Sequence, residues 1–296
     1  MMISIITPCF NAEKTIEKTI LSIISSKTKD TEYIIIDGGS SDGTVDIIKK
    51  YEKHIDIFVS EKDDGMYHAI SKGIEKSSGD IIGWLNADDI YLPWTLSTVQ
   101  EIFNNFNEVK WLTGLPGFCN ENGQYTGIRS NASAYINSLM RKGWYQDGLL
   151  GHIQQESTFW RKELYDISGG LDLNLKYAGD FKLWISFAKE ADLFHLDIPL
   201  AAFRKGRGNQ ISLKFSKEYN NEVYSVSRLN FLVRLFKKIN DKSLILNSIF
   251  KFFVFGKTKI IGFSQPQNKW KIVNMYLNCS KNSIKDLRLA FFLYRK

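Results

Sequence analysis

Apolar residues in the first hundred positions follow two alternating rhythms. MISIITP (2–8) is a short unbroken apolar run that stops at Pro8, and EYIIID (32–37), IDIFVSE (55–61) and DIIGWLN (80–86) are runs of the same kind. Each predicts a buried strand. Between them Ile16, Ile20, Ile23 and Ile24 fall at helical spacing within 12–25. TVDIIKKYEKH (44–54) predicts a second helix, capped by Asp42 or Thr44, and GMYHAISKGIEKSSG (65–79) a third. Strand and helix alternate, and the strands are apolar throughout rather than at every second position. That pattern predicts a parallel α/β sheet covered on both faces. Such sheets bind ligands at the carboxyl ends of their strands. Asp37 falls there after the second strand, and Asp88 and Asp89 after the fourth.

Beyond residue 112 the pattern loosens. Residues 111–127 read as strands and turns, 157–166 and 180–191 as helices, and 193–212 as a strand followed by a glycine-rich basic loop. From about 216 the spacing of Tyr219, Val223, Val226, Leu229, Leu232, Leu235 and Phe236 predicts helix. The expected organisation is an α/β half over 1–112, a second half over 113–215 and a helical C-terminal region over 216–296.

A chain of 296 residues, 44% of them hydrophobic, can bury one large core or two smaller ones. Cys9, Cys119 and Cys279 lie far apart without metal-ligand spacing, which predicts reduced thiols in a cytoplasmic protein. The opening MMISIITPCFNAEKT has neither a basic leader nor a long apolar stretch, so no signal peptide is expected. The longest apolar run, LILNSIFKFFVF, falls short of a membrane span and contains Lys251. Charge is unevenly placed. Residues 214–296 hold 17 Lys and Arg against 4 Asp and Glu, a net +13, which leaves −6 for the rest. The basic segment predicts either an anionic partner or a solvated basic face.

Missing motifs narrow the chemistry. The first strand runs into TPCFNAEKT, which has no glycine, so a dinucleotide-binding turn is excluded, as is the glycine-rich first loop of a sugar nucleotidyltransferase. No G-x-x-x-x-G-K-[ST] occurs, which excludes a P-loop enzyme. What remains is the acid-rich edge ending in Asn86-Ala87-Asp88-Asp89. Adjacent carboxylates resist burial unless positive charge offsets them. A strand end with this pair suits Mg²⁺ or Mn²⁺ held by few carboxylates together with substrate phosphates.

Four segments in order carry a family resemblance: IITPCFNAEKTIEKTILSI (5–23), EYIIIDGGSSDGT (32–44), DDGMYHAISKGIEKSSGDIIGWLNADD (63–89) and YAGDFKLWISFA (177–188). Together they resemble the family-2 inverting glycosyltransferases, and the likeness covers roughly 2–212. The resemblance implies a GT-A nucleotide-diphospho-sugar transferase fold, a Rossmann-like mixed and mainly parallel sheet, here with a C-terminal helical extension. It implies transfer from a nucleotide sugar, first of all a UDP-sugar, to a saccharide or polyprenyl-diphosphate-linked acceptor in surface polysaccharide synthesis of the O-antigen or capsule kind. The alternative is a non-catalytic nucleotide or glycan binder on a decayed scaffold.

By the same resemblance Asp37 contacts the nucleotide base, and Asp64, in the D-x-G-x-Y-x-A-x-x-K-G pattern, makes a second nucleotide-sugar contact. Pro8, Phe10, Asn86, Ala87 and Arg204 join them. Asp88 and Asp89 hold Mn²⁺ or Mg²⁺, the alternative being two helix-capping acids. Asp180 is the general base, or an N-cap, or both. Gln155, Glu156 and Trp160, within IQQESTFWRKEL (153–164), face the acceptor, with core packing the other role open to Trp160. The chain departs from the family pattern at Asn86, at Gly179 where relatives carry an acid, and at Gly206 where relatives carry a histidine ligand. Arg204, Lys205 and Arg207 are then candidates to neutralise the leaving phosphates. His54, His152 and His195 show no catalytic constellation. The basic C-terminal segment interleaves Lys and Arg with Phe, Leu and Trp, which suggests an anionic membrane surface, with peripheral attachment at the inner face of the cytoplasmic membrane, or a homodimer. No nucleic-acid motif is present.

Overall fold

The computed structural model describes residues 1–128, 135–146, 149–205, 215–227, 229, 233–235, 237 and 254–278. Eleven described strands form one mixed sheet in the order β11-β10-β9-β6-β8-β4-β1-β2-β3, with β5 paired to β9 and β7 to β6. The strands are β1 (Ile3–Cys9), β2 (Thr31–Asp37), β3 (Ile57–Ser60), β4 (Ile81–Trp84), β5 (Ile90–Tyr91), β6 (Trp111–Cys119), β7 (Tyr125–Ile128), β8 (Thr158–Arg161), β9 (Leu193–Arg204), β10 (Phe255–Ser264) and β11 (Lys269–Asn278). The helices are α1 (Ile16–Ser26), α2 (Thr44–Lys50), α3 (Met66–Lys76), α4 (Thr95–Asn105), α5 (Asn137–Met140), α6 (Lys162–Ile167), α7 (Gly179–Glu190) and α8 (Ser216–Val226).

The unbroken apolar strands bury both faces because side chains alternate across a sheet. Ile3 and Ile5 of β1, with Tyr33 and Ile35 of β2, enter a core with Ile16, Ile20 and Ile23 of α1 and Leu96, Val99 and Phe103 of α4. Ile6, Ile34 and Ile36 enter the opposite core with Tyr67, Ile70 and Ile74 of α3 and with Leu183, Trp184 and Phe187 of α7. From β3 through β4 every pairing is parallel, as the sequence predicts. Their carboxyl ends share one edge.

The second half differs from expectation in two places. Residues 158–161 form β8, antiparallel between β4 and β6, and helix begins only at Lys162. Phe159 and Trp160 enter opposite cores, so this short run is apolar on both faces, a pattern that periodicity cannot tell from helix. The C-terminal region is helical in α8, but 255–278 then forms a hairpin that extends the sheet. β10 runs parallel to β9, with Ile260 opposite His195, and antiparallel to β11. β-branched and aromatic residues and the left-handed turn at Asn268 (φ 47°) favour strands there. Pro93 precedes α4, which starts at Thr95, because Ile90–Tyr91 first pairs with β9. No helix among the described residues is long and apolar enough to cross a membrane.

Candidate active site

The turn after β4 is built from both halves of the sheet. The Leu85 N–H donates to the Ile6 carbonyl at 2.9 Å, after which the chain leaves the ladder and the Asp89 N–H closes a turn on the Asn86 carbonyl at 3.1 Å. Gln155 fixes the turn from the side. Its amide nitrogen donates to the Trp84 carbonyl, and its Oε1 accepts from Asn86 Nδ2 at 3.1 Å. This leaves Asn86 Oδ1 a buried oxygen with no hydrogen-bond partner among the described groups. Asp89 is fully buried, and its Oδ1 accepts the Arg204 backbone N–H at 3.0 Å. Burial first, then the charges of Asp88 and Glu156, push its carboxyl well above the usual range, with Arg204 pulling the other way.

Arg204 therefore has a different place from the one expected. It is buried, with Nε donating to the Asp88 carbonyl at 2.6 Å and Nη1 to the Glu121 carbonyl at 2.8 Å. A guanidinium bound to backbone carbonyls holds the acidic turn in shape and supplies positive charge beside the acid pair. Lys205, next in the chain, is exposed, with its ammonium 3.5 Å from the centre of the Phe118 ring. Gly206 and Arg207 lie outside the described residues.

Donor chemistry at the turn fits a hard divalent cation. The orphaned Asn86 amide oxygen and the half-buried Asp88 carboxylate offer oxygen donors of the kind such a cation takes, at one strand end. No group of three or more His, Cys, Asp or Glu among the described residues could hold a metal ion unaided. Asp89, turned toward the Arg204 backbone, braces the turn rather than opening to the edge.

Further along the edge, Pro8 is buried in β1 opposite Ile36, whereas Phe10, just past the strand, is 63% exposed. Asp37 is fully buried. Its carboxylate accepts the backbone N–H of Gly39 and of Ser40 and the hydroxyls of Ser40 and Ser60, so it organises its own loop. Asp64 is exposed, with its N–H donating to His68 Nδ1 at 3.2 Å. The first acid of its motif is Asp63, which accepts the Gly65 N–H at 2.9 Å and lies against Gly38 at the edge. Asp63, rather than Asp64, thus lies beside the loop that follows β2.

Asp180 lies in the first turn of α7, half-buried. The Tyr67 hydroxyl, from α3, is 3.2 Å from Asp180 Oδ1 and 3.0 Å from the Tyr177 carbonyl, and its one proton can go to either. Burial raises the Asp180 pKa, while the Phe181 N–H, the charge of His152 and the Tyr67 hydroxyl partly oppose it. His152 is thus an electrostatic neighbour of Asp180, and its Nδ1 lies 3.4 Å from the Tyr219 hydroxyl of α8. Sequence patterns missed both partners of Asp180. Tyr67 carried a usable signal as the tyrosine of the D-x-G-x-Y pattern, but His152 carried none. Gly179 also acquires a reason. A Cβ there would stand 2.8 Å from Tyr67 ring atoms, so the tyrosine occupies the space an acid would need.

Glu156 joins the two acidic centres. It is buried, and burial, with the charges of Asp88 and Asp180 adding and its own backbone N–H opposing, raises its pKa to about 8. Burial thus favours the protonated form of Glu156, and its Oε1 has no hydrogen-bond partner among the described groups. Trp160 is not on the acceptor side. It is fully buried, its ring 6.1 Å from Trp84, 5.7 Å from Trp184 and 5.7 Å from Phe187. His195 is a core residue, its pKa lowered to about 4 by burial.

Comparisons with known proteins agree with this architecture. The family model "Glycosyl transferase family 2" matches residues 4–164. A Haemophilus influenzae protein named as an uncharacterized glycosyltransferase is 23% identical, covering 99% of this chain and 91% of its own. The Staphylococcus epidermidis poly-β-1,6-N-acetyl-D-glucosamine synthase is 27% identical over 58% of this chain, which spans 42% of that synthase. Among solved structures, S. aureus TarS 1–349 in complex with UDP-GlcNAc superposes with a TM-score of 0.58 at 16% identity, covering 85% of this chain and 72% of its own. The mannosyltransferase PcManGT from Pyrobaculum calidifontis, in complex with GDP-Man and Mn²⁺, gives 0.57 at 15% identity, with 83% and 71% covered. These likenesses show the GT-A fold.

Proposed function

The chain belongs to glycosyl transferase family 2, and from that premise we propose that it is an inverting enzyme moving a sugar from a nucleotide-diphosphate donor, first of all a UDP-sugar, to a hydroxyl of a glycan or lipid-linked saccharide. The observation that carries the reading is the orphaned Asn86 Oδ1 beside Asp88 at the strand edge, with Asp180 held by the Tyr67 hydroxyl at the helix start. A donor diphosphate and an acceptor hydroxyl would meet between those two carboxylates.

In this reading residues 1–112 form the donor half, with Pro8, Phe10, Asp63 and the loop organised by Asp37 around the nucleotide. Asn86 Oδ1 and Asp88 would hold Mn²⁺ or Mg²⁺, which when bound supplies positive charge against the diphosphate. Asp180 accepts the acceptor's proton as its oxygen bonds to the anomeric carbon and the bond to the diphosphate breaks on the opposite face. The Tyr67 hydroxyl orients that carboxylate. A protonated Glu156 avoids adding another negative charge beside Asp88 and Asp180. Gln155 keeps Asn86 in place.

The test is Asp180→Asn assayed over a panel of UDP-, GDP- and dTDP-sugars with and without Mn²⁺. Transfer should disappear while nucleoside-diphosphate binding persists. A wild-type chain that binds nucleotides but transfers nothing from any donor would support the non-catalytic alternative.

A further inference from the structure

α8 lies outside the stretch matched by the family, yet it reaches the residues that present Asp180. Glu222 Oε1 accepts the Lys176 N–H at 2.9 Å, and Oε2 accepts those of Tyr177 at 2.9 Å and Ala178 at 2.8 Å. These three residues directly precede α7. The N–H groups at a helix start lack partners within the helix, and α7 has no side-chain cap of its own. Glu222, from another helix, holds the N–H groups of the N-cap residue Ala178 and of the two residues before it, and its negative charge suits the positive end of the helix dipole. From the other side the Tyr67 hydroxyl lies on the Tyr177 carbonyl. Segment 176–178 is thus held through its donors by α8 and through an acceptor by α3. Val223 seats α8 in a small core with Ala178, Phe181 and Ile185.

We propose that Glu222 is a positioning residue for Asp180, so that α8 sets the geometry of proton removal; this rests on Asp180 being the base. Glu222 touches no substrate. It fixes the backbone from which the carboxylate projects, and misplacing a reacting group by about 1 Å costs about a hundredfold in rate.

The experiment compares full-length Glu222→Gln, Glu222→Asp and, as a control with the same charge change on the same helix, Glu218→Gln, whose side chain is exposed. Calorimetry with UDP, GDP and dTDP gives the binding stoichiometry, hence the folded fraction, and steady-state assays give kcat and KM per binding-competent chain. Glu222→Gln keeps the size of the side chain but cannot accept three N–H groups. It should bind nucleotide as the wild type does, leave the donor KM within about twofold and lower kcat per competent chain by about ten- to a hundredfold. Glu222→Asp, which keeps the carboxylate on a shorter stem, should recover part of the loss, and Glu218→Gln should match the wild type. A kcat per competent chain within about twofold of wild type in Glu222→Gln overturns the proposal. If that variant does not fold, Glu222→Ala, which removes the carboxylate altogether, takes its place, and the same result there overturns the proposal. An inert wild type instead overturns the transfer reading, and the positioning role with it.

Discussion

At the scale of single residues, Glu156 shows how burial sets the protonation state of this site. Its carboxyl holds a proton to about pH 8, against an ordinary glutamate value near 4.5. A group whose folded pKa is raised contributes stability that is fully present below its unfolded pKa and is lost as pH rises through the folded value. The metal-free chain should therefore lose stability between about pH 4.5 and 8. Asp89 and Asp180, also raised, contribute in the same direction. Glu156→Gln removes one of these titrations while keeping the side-chain volume. Its urea midpoint should fall less steeply over that range than the wild type's. Equal slopes for the two proteins would show that Glu156 is ionised in the folded chain.

At the scale of elements, the decisive contact is between α3 and α7. Tyr67 packs on Gly179, and its hydroxyl reaches Asp180 and Tyr177. Gly179→Ala places a methyl group where the tyrosine ring lies. Overpacking of this kind costs about 1–3 kcal/mol. The variant should melt lower and lose about tenfold or more in kcat as Tyr67 shifts, with nucleotide binding retained. A fully active Gly179→Ala would show that Tyr67 does not orient the base. Gly73 makes the matching approach on α3, where a Cβ would lie 2.5 Å from Ile6 Cγ2, so α3 sits close on the sheet while its far side meets α7. β8 illustrates the opposite case. Its apolar pair serves two cores at once, and a strand so short was open to being read as the start of α6.

At the scale of the whole molecule, one sheet runs unbroken from the hairpin β10–β11 to β3. The hairpin carries Lys257, Lys259, Lys269 and Lys271 and no acid, and Phe263 meets Trp270 near its turn with ring centres 5.2 Å apart. The strongly basic segment 214–296 continues past it. We propose that this end of the molecule meets an anionic membrane surface, which would bring the enzyme to a lipid-linked acceptor. The full-length chain should co-sediment with vesicles containing anionic lipid at low salt and be released near 1 M salt, where the screening length is about 3 Å. Sedimentation only as a larger oligomer, with or without vesicles, would assign the segment to subunit contact instead.

The sequence by itself determined the parallel α/β half, its carboxyl edge, and the acids on that edge. Unbroken apolar strands and helical spacing are local patterns, and Asp37, Asp88 and Asp180 lie in motifs whose spacing survives in the linear chain. Only the tertiary structure decided how each acid is held there. Asp37 turns out to be saturated by its own loop together with Ser60 and Cys9, Asp63 rather than Asp64 lies against Gly38, Arg204 is a buried brace, and Trp160 belongs to the core. It also brought Tyr67 and His152 to Asp180, and Glu222 to the segment just before it, from distant positions in the chain. The physical reason is that protonation and orientation depend on burial and on partners across the fold, and neither is a property of neighbouring residues in the sequence.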